Sequence, residues 1–318
     1  MVNIGYALSG EEHNPRDLVR YAERAEQAGF TFALISDHFH PWIDRQGHSV
    51  FVWSVIGGIA QVTTNLQLGT GVTCPTIRIH PAIIAQAAAT AAAMMPGRFF
   101  LGVGTGENLN EHVLGDRWPP YDLRSDMLEE AIEVIRLLWE GDVTTFYGTF
   151  YTVENARIYT LPETLPPIMI AAGGPKAAEL AGRLGDGLIS TSPKSELVET
   201  FEEGGSGSRP RYGQLTVCWA DDEATARKIA REWWPTAALG GELSQELPMP
   251  AHFEQATQDV TEEQVAKSVV CGNDASRHLE KIQEYIDAGF DHVYIHQVGP
   301  DQQGFFQFYE REILPAFR

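Results

Sequence analysis

Eight short apolar runs, each separated from the next by a helical pattern, set the terms for any fold of this 318-residue chain. The runs are "NIGYAL" (3–8), "FALISD" (32–37), "LQLGTGV" (66–72), "RFFLGVG" (98–104), "PPIMIAAGG" (166–174), "DGLISTS" (186–192), "YGQLTVCWA" (212–220) and "HVYIHQV" (292–298). The intervening segments carry helix signals. Asn14 and Pro15 form an N-cap and a first-turn proline, and Leu18, Tyr21, Ala22, Ala25 and Ala28 follow at helical spacing before Gly29. Further helices are predicted over 50–62, 81–96 and around Leu128 to Leu138. One unit recurs: "AGFTFALISD" at 28–37 resembles "AGFDHVYIHQ" at 288–297, each a helix end feeding a strand. Eight strands alternating with helices predict an α/β chain folded as a (β/α)8 TIM barrel, for which about 250 residues plus insertions is the usual size. A doubly wound open sheet is the competing architecture.

Two segments break the rhythm. "TTFYGTFYTVENARIYTL" (144–161) alternates like a hairpin, and 233–261 is rich in Pro, Gly and Ala. Such insertions serve as lids or oligomer contacts, or are plain surface excursions. No linker composition divides the chain, so residues 1–318 read as one domain.

Charge narrows the partners. Lys and Arg number 23 against 43 Asp and Glu, a net charge of −20, which predicts no nucleic acid and no anionic membrane surface as partner. Cys74, Cys218 and Cys271 are far apart with no C-x-x-C, so neither a disulfide framework nor a zinc knuckle is expected, and a cytoplasmic protein fits. The N-terminus lacks a basic n-region, and the Ala-rich stretch 81–96 reads as a buried helix rather than a span of about 20 apolar residues.

Barrel chemistry sits at the C-terminal ends of strands. Those ends read Asp37-His38, Thr73-Cys74, Gly104-Thr105-Gly106-Glu107-Asn108 with Asn110 beyond, Gly173-Gly174-Pro175, Thr191-Ser192 and His296-Gln297. In "FFLGVGTGEN" (99–108), the glycines at 102, 104 and 106 suggest a dinucleotide fingerprint, but its third glycine position holds Glu107, whose charge would repel a pyrophosphate. These glycines are expected to end the fourth strand, and the resemblance given below implies that they clear space for a flat ring. His38 is the side-chain type that exchanges protons near neutral pH, and Trp42 lies four residues on. Glu107 is a candidate acid. Gly173-Gly174 before a helix start is either a phosphate cradle or an ordinary turn. "HFH" (38–40) resembles the first ligand pair of zinc hydrolase barrels, but it follows the second strand rather than the first, and His296 alone offers a further imidazole. No metal is expected.

"LISDHFHPW", "LGTGVTCPT", "FFLGVGTGENLNE" and "IMIAAGGPKAAELAGRLGDGLISTS" together resemble the luciferase-like superfamily of flavin and deazaflavin barrels. More narrowly, they resemble the coenzyme F420-dependent glucose-6-phosphate dehydrogenase family, and the similarity runs nearly end to end. The resemblance implies a homodimer that binds F420, a deazaflavin that accepts a hydride. It implies that His38 takes the hydroxyl proton of the sugar phosphate, that Glu107 protonates or stabilises the reduced cofactor, and that Trp42 shapes the pocket. It places Glu11 on the substrate side and Asp37, Gly106, Asn110, Ala172, Gly173 and Gly174 against the cofactor. It puts a non-proline cis peptide at Gly71-Val72 and Cys74 where the family commonly has threonine. Of three basic phosphate-binding positions in the family, one matches Lys194. The others fall at Ser244 and Ser268, with Lys267 beside the second. The substrate is therefore expected to be a sugar phosphate such as glucose 6-phosphate, with another alcohol as the variant. An FMN-dependent monooxygenase and a non-catalytic cofactor carrier are the rival functions.

Overall fold

The computed structural model describes residues 2–205 and 208–318. Among these, eight barrel strands run Asn3–Leu8, Phe32–Ile35, Gln67–Thr70, Phe99–Val103, Ile168–Ala171, Gly187–Ser190, Arg211–Cys218 and His292–Gln297. They are called the first to eighth strands below. Each pairs in parallel with its neighbours, and the eighth closes on the first: Tyr6 faces Ala33 on one side and Ile295 on the other. The expected (β/α)8 barrel is the fold, and the open-sheet alternative is excluded by that closure.

The first helix, Pro15–Ala28, shows why the local signals sufficed. The Asn14 side chain accepts hydrogen bonds from the Arg16 and Asp17 amides, and Gly29 ends the helix at φ 102°. Such a cap contributes about 1 kcal/mol. The buried face is Leu18, Ala22, Ala25 and Ala28. The Ala-rich helix, Pro81–Met94, buries alanines on several sides. Small side chains let it lie close to both the strands and the Tyr121–Leu138 helix. Among the described residues no helix is long and apolar enough to cross a membrane.

Strand alternation splits the core in two. Ala33, Ile35, Leu68 and Leu101 face outward into the layer under the helices. Phe32, Leu34, Phe100, Met169, Ile189, Tyr212 and Tyr294 form a separate cluster that fills the barrel interior. The rings need room. A Cβ on Gly69 would come within 2.0 Å of the Phe100 ring, so glycine there is a packing requirement.

The predicted hairpin is present as Thr144–Tyr147 paired antiparallel with Thr152–Ala156. The second insertion is more ordered than its composition suggested. It holds a turn at Pro235–Ala238 and helices Leu243–Glu246 and Pro250–Thr257. A short strand, Val270–Cys271, then pairs with the end of the seventh strand; no sequence signal marked it.

Candidate active site

The second strand delivers Asp37 and His38 to the rim. The His38 ring is 12% exposed, and its Nδ1 lies 3.3 Å from Glu11 Oε1, out of line for a full hydrogen bond. Glu11 itself is fixed, because its Oε2 accepts from Ser36 Oγ at 2.6 Å and Ser9 Oγ at 3.0 Å. With a carboxylate beside Nδ1, Nε2 is the imidazole nitrogen left for a proton from a ligand. Trp42 packs against the imidazole at 5.0 Å between ring centroids, and Phe253 stands edge-on to Trp42 at 5.2 Å.

Arg78, which follows the third strand, sits behind these groups. Its NH2 donates to Asp37 Oδ1 at 2.9 Å, and its backbone amide donates to Glu111 Oε2 at 2.8 Å. The guanidinium also lies 3.5 Å from Glu111 Oε1. The second Asp37 oxygen accepts from Thr73 Oγ1 at 2.8 Å. Both carboxylates are almost fully buried. Burial pushes the Glu111 carboxyl up to about 7; Arg78 opposes that rise, and the neighbouring Glu107 and Asp37 charges add to it. One cation cannot neutralise several carboxylates in a site of low dielectric.

The fourth strand ends in the turn carrying Glu107, which precedes the short helix Asn108–Glu111. Asn110 is buried. Its Oδ1 accepts from the Phe39 and His40 amides at 2.9 and 3.2 Å, and its Nδ2 lies 3.4 Å from Glu107 Oε2. The amide thus links the backbone after His38 to the Glu107 side chain. The three glycines of this strand end, which does stop at Val103, also have a packing cause. A Cβ on Gly102 would lie 1.9 Å from the Thr70 carbonyl, and one on Gly104 would lie 2.8 Å from Val72. Gly106 has φ +75°, and a Cβ there would meet Cys74 Sγ at 2.6 Å. All three let the fourth strand end close against the third, so packing within the protein is by itself a reason for them.

The peptide bond Gly71-Val72 is cis, as the resemblance implied. Cys74 is buried with Sγ 2.9 Å from Thr76 Oγ1, and burial pushes its thiol well up. The hairpin buttresses this segment from outside, because Tyr151 Oη donates to the Thr76 carbonyl at 2.9 Å. Ala172 is buried and donates its amide to the Ile189 carbonyl at 2.8 Å. Gly173 and Gly174 meet nothing within 4 Å where a Cβ would stand. The helix after them, Pro175–Leu184, starts with no side-chain cap, so its first-turn amide donors face outward unclaimed. Lys194 and Lys267 are exposed, and neither side chain makes an ion pair or hydrogen bond among the described residues. The structure therefore gathers His38, Trp42, Glu11, Asp37, Glu107 and Asn110 through shared contacts and leaves the two lysines outside that network.

The second insertion lies over this rim. Asn108 Nδ2 donates to the Glu246 carbonyl at 2.9 Å, Arg124 donates to Gln245 Oε1 at 3.1 Å, and Gln46 Nε2 donates to the Trp233 carbonyl at 3.1 Å. On the far side, His296 meets Glu12 at 2.7 Å, with Trp234 edge-on to the imidazole. Burial alone would raise the Glu12 carboxyl, but the His296 hydrogen bond and charge outweigh it and hold the group below its usual range. Of the "HFH" pair, His40 turns its Nδ1 to the Leu109 carbonyl, away from His38. No group of three or more His, Cys, Asp or Glu side chains among the described residues is placed to hold a metal ion.

This geometry has relatives. The luciferase-like monooxygenase family model matches residues 2–292. F420-dependent glucose-6-phosphate dehydrogenases of Mycolicibacterium gilvum and Mycolicibacterium smegmatis are 39% and 38% identical, each over 100% of this chain and 98% of its own. The chain belongs to the F420-dependent glucose-6-phosphate dehydrogenase family, within the luciferase-like superfamily. A solved structure of an F420-dependent secondary alcohol dehydrogenase with an F420–acetone adduct is also similar, with a TM-score of 0.93 at 32% identity over 100% of this chain and 99% of that one. The F420-dependent tetrahydromethanopterin reductase of Methanopyrus kandleri, at 21% identity and a TM-score of 0.81, shares the fold. Arg78 and Glu111, which lie behind Asp37 and the turn after Glu107, escaped the sequence reading. The only clue was Glu107 and Glu111 four apart, which places both on one side of a helical turn.

Proposed function

We propose that this chain is an F420-dependent dehydrogenase that oxidises a hydroxyl of a sugar phosphate of the glucose 6-phosphate type. The observation that carries this reading is the His38–Glu11–Trp42 cluster tied through Asn110 to Glu107, within a chain that matches F420-dependent glucose-6-phosphate dehydrogenases over its whole length. The residues present fit the cofactor. The uncapped helix start at Gly174-Pro175 offers amide donors for a phosphate tail. The open space at Gly173-Gly174 leaves room for it. Asp37, Gly71-Val72, Cys74, Gly106, Asn110 and Ala172 would line the ring side. When bound, F420 supplies the acceptor for a hydride, a two-electron transfer.

The chain's own residues handle the protons. As the substrate C–H bond gives up its hydride and the C=O bond forms, the hydroxyl proton passes to His38 Nε2. Glu11 steadies the imidazole at Nδ1 as it becomes positive. Glu107 holds the second exchangeable proton on the other strand end. Trp42 and Phe253 wall the pocket and exclude water. Lys194 and Lys267, whose side chains have no partner among the described residues, supply charge for the phosphate. We further place the enzyme as a homodimer in the cytoplasm and read residues 1–318 as one domain. Light scattering on the purified chain tests the dimer.

A second reading, a neutral secondary alcohol as substrate, is favoured by one observation. Serines stand at Ser244 and Ser268, where the family's phosphate-binding cations are expected. A structural relative at 32% identity is a secondary alcohol dehydrogenase. Loss of oxidised F420 absorbance with glucose 6-phosphate supports the first reading. Loss with 2-propanol and none with the sugar phosphate replaces it by the second.

A further inference from the structure

Arg78 lies behind the site with no assigned role, and it is 8% exposed. It contacts two carboxylates that belong to different strand ends. Asp37 directly precedes His38, and Glu111 closes the turn that begins at Glu107. It holds the Asp37 main chain as well, through a 3.3 Å bond from NH2 to the Asp37 carbonyl. The Glu111 amide in turn donates to the Glu107 carbonyl at 3.1 Å. Each carboxylate is otherwise enclosed, so neither has water to replace the guanidinium.

We propose that Arg78 is a positioning residue that clamps the strand end bearing His38 to the turn bearing Glu107, setting the separation of the two proton-handling groups. The planar guanidinium makes this possible. It presents several donors in fixed directions, which a lysine ammonium cannot reproduce across two acceptors. Asn110 forms a parallel bridge, but a neutral one, from the Phe39 and His40 amides to Glu107. The hairpin supports the clamp from outside by fixing Thr76 through Tyr151, two residues before Arg78. The proposal rests on the dehydrogenase reading for its catalytic consequence and on geometry alone for its structural one, so the test reads both.

The test uses the full chain with Arg78→Met, Arg78→Lys and Glu111→Gln, read by amide hydrogen exchange without cofactor and by kcat and KM with F420 and the alcohol substrate. Arg78→Met is expected to speed exchange about tenfold in peptides 37–42 and 106–112 together, while the helix Ala275–Asp287 is unchanged. Its kcat should fall about a hundredfold with KM within about twofold, because misplacement of about 1 Å costs that much. Arg78→Lys should restore protection at one turn only and recover part of kcat. Glu111→Gln should loosen 106–112 and leave 37–42 protected. Wild-type exchange at both turns in a folded Arg78→Met protein overturns the clamp, as does full recovery of both turns by lysine. If Arg78→Met does not fold, the split between the turns in the other two variants decides. If the wild type oxidises no alcohol with F420, the functional reading fails, while the exchange data still judge the clamp.

Discussion

The two ends of the barrel strands make opposite use of the same backbone. The interior is closed with rings: Phe32, Phe100, Tyr212 and Tyr294 pack with Met169 and Ile189, and Phe100 stacks on Tyr212 at 5.0 Å over the gap that Gly69 leaves. The rim beyond the strand ends is closed with charges: Arg78 links Asp37 and Glu111, while Glu11 stands beside His38 and Asn110 holds the Phe39 amide. Apolar rings gain from leaving water in any orientation that packs. Buried charges gain only in one arrangement, where every lone pair and proton has a partner. The interior therefore supplies stability, and the rim supplies a fixed geometry at a cost in stability.

The contrast is sharpest if it can be broken by substitution. Replacing His38 by Ala should lower turnover by about 10²–10⁴-fold, with little change in melting temperature. Steady-state kinetics beside calorimetry checks it, and retained turnover would remove the base assignment. Phe100→Ala should do the reverse. Loss of a ring that is 3% exposed costs about 3–5 kcal/mol in denaturant unfolding, while the folded fraction keeps its turnover.

A third test sets two buried titrating groups against each other. His278, on the helix Ala275–Asp287, lies between Tyr309 Oη and the Gly272 carbonyl, and burial pushes it down to about 4. A lowered histidine contributes stability that is present above its unfolded value near 6.5 and is lost as pH falls toward 4. Glu111 has the opposite sign. Its raised value makes the folded state bind the proton more tightly, so that contribution is full below about 4.5 and is lost as pH rises through about 7. Between about pH 4.5 and 6.5 the two slopes oppose. Glu111→Gln should therefore leave a stability that rises with pH by about 2 kcal/mol across that window, and His278→Gln one that falls by a similar amount. Melting curves across the window, showing the same slope in both variants, would refute the pairing. The smallest effect is expected at the third-strand end. Cys74→Thr exchanges the thiol for a hydroxyl and should change F420 affinity by about threefold or less, measured by fluorescence titration.

Much of this site was legible before any coordinates. His38, Glu107 and Asn110 stand where counting strand ends puts them, and the structure sets Trp42 against His38. Gly173-Gly174 before a helix start was legible as a phosphate cradle or an ordinary turn, and the helix there has no side-chain cap. The glycines of "FFLGVGTGEN" have a packing reason that the sequence did not show. A sequence shows that Cβ atoms are missing, and only the neighbouring strand shows what they would strike. The second insertion read as irregular because each of its helices is too short to carry a periodic pattern.

Periodicity, capping and turn chemistry are local, so the sequence alone determined the barrel, its strand boundaries to within a few residues and the rim positions where chemistry collects. Pairing across distance is not local. That Arg78 would serve Asp37, 41 residues away, and Glu111, 33 residues away, was decided by closure of the sheet. So was the seating of Phe253 from the second insertion against Trp42. A buried charge takes its partner from the elements that packing brings beside it, and that choice is made only when the chain has folded.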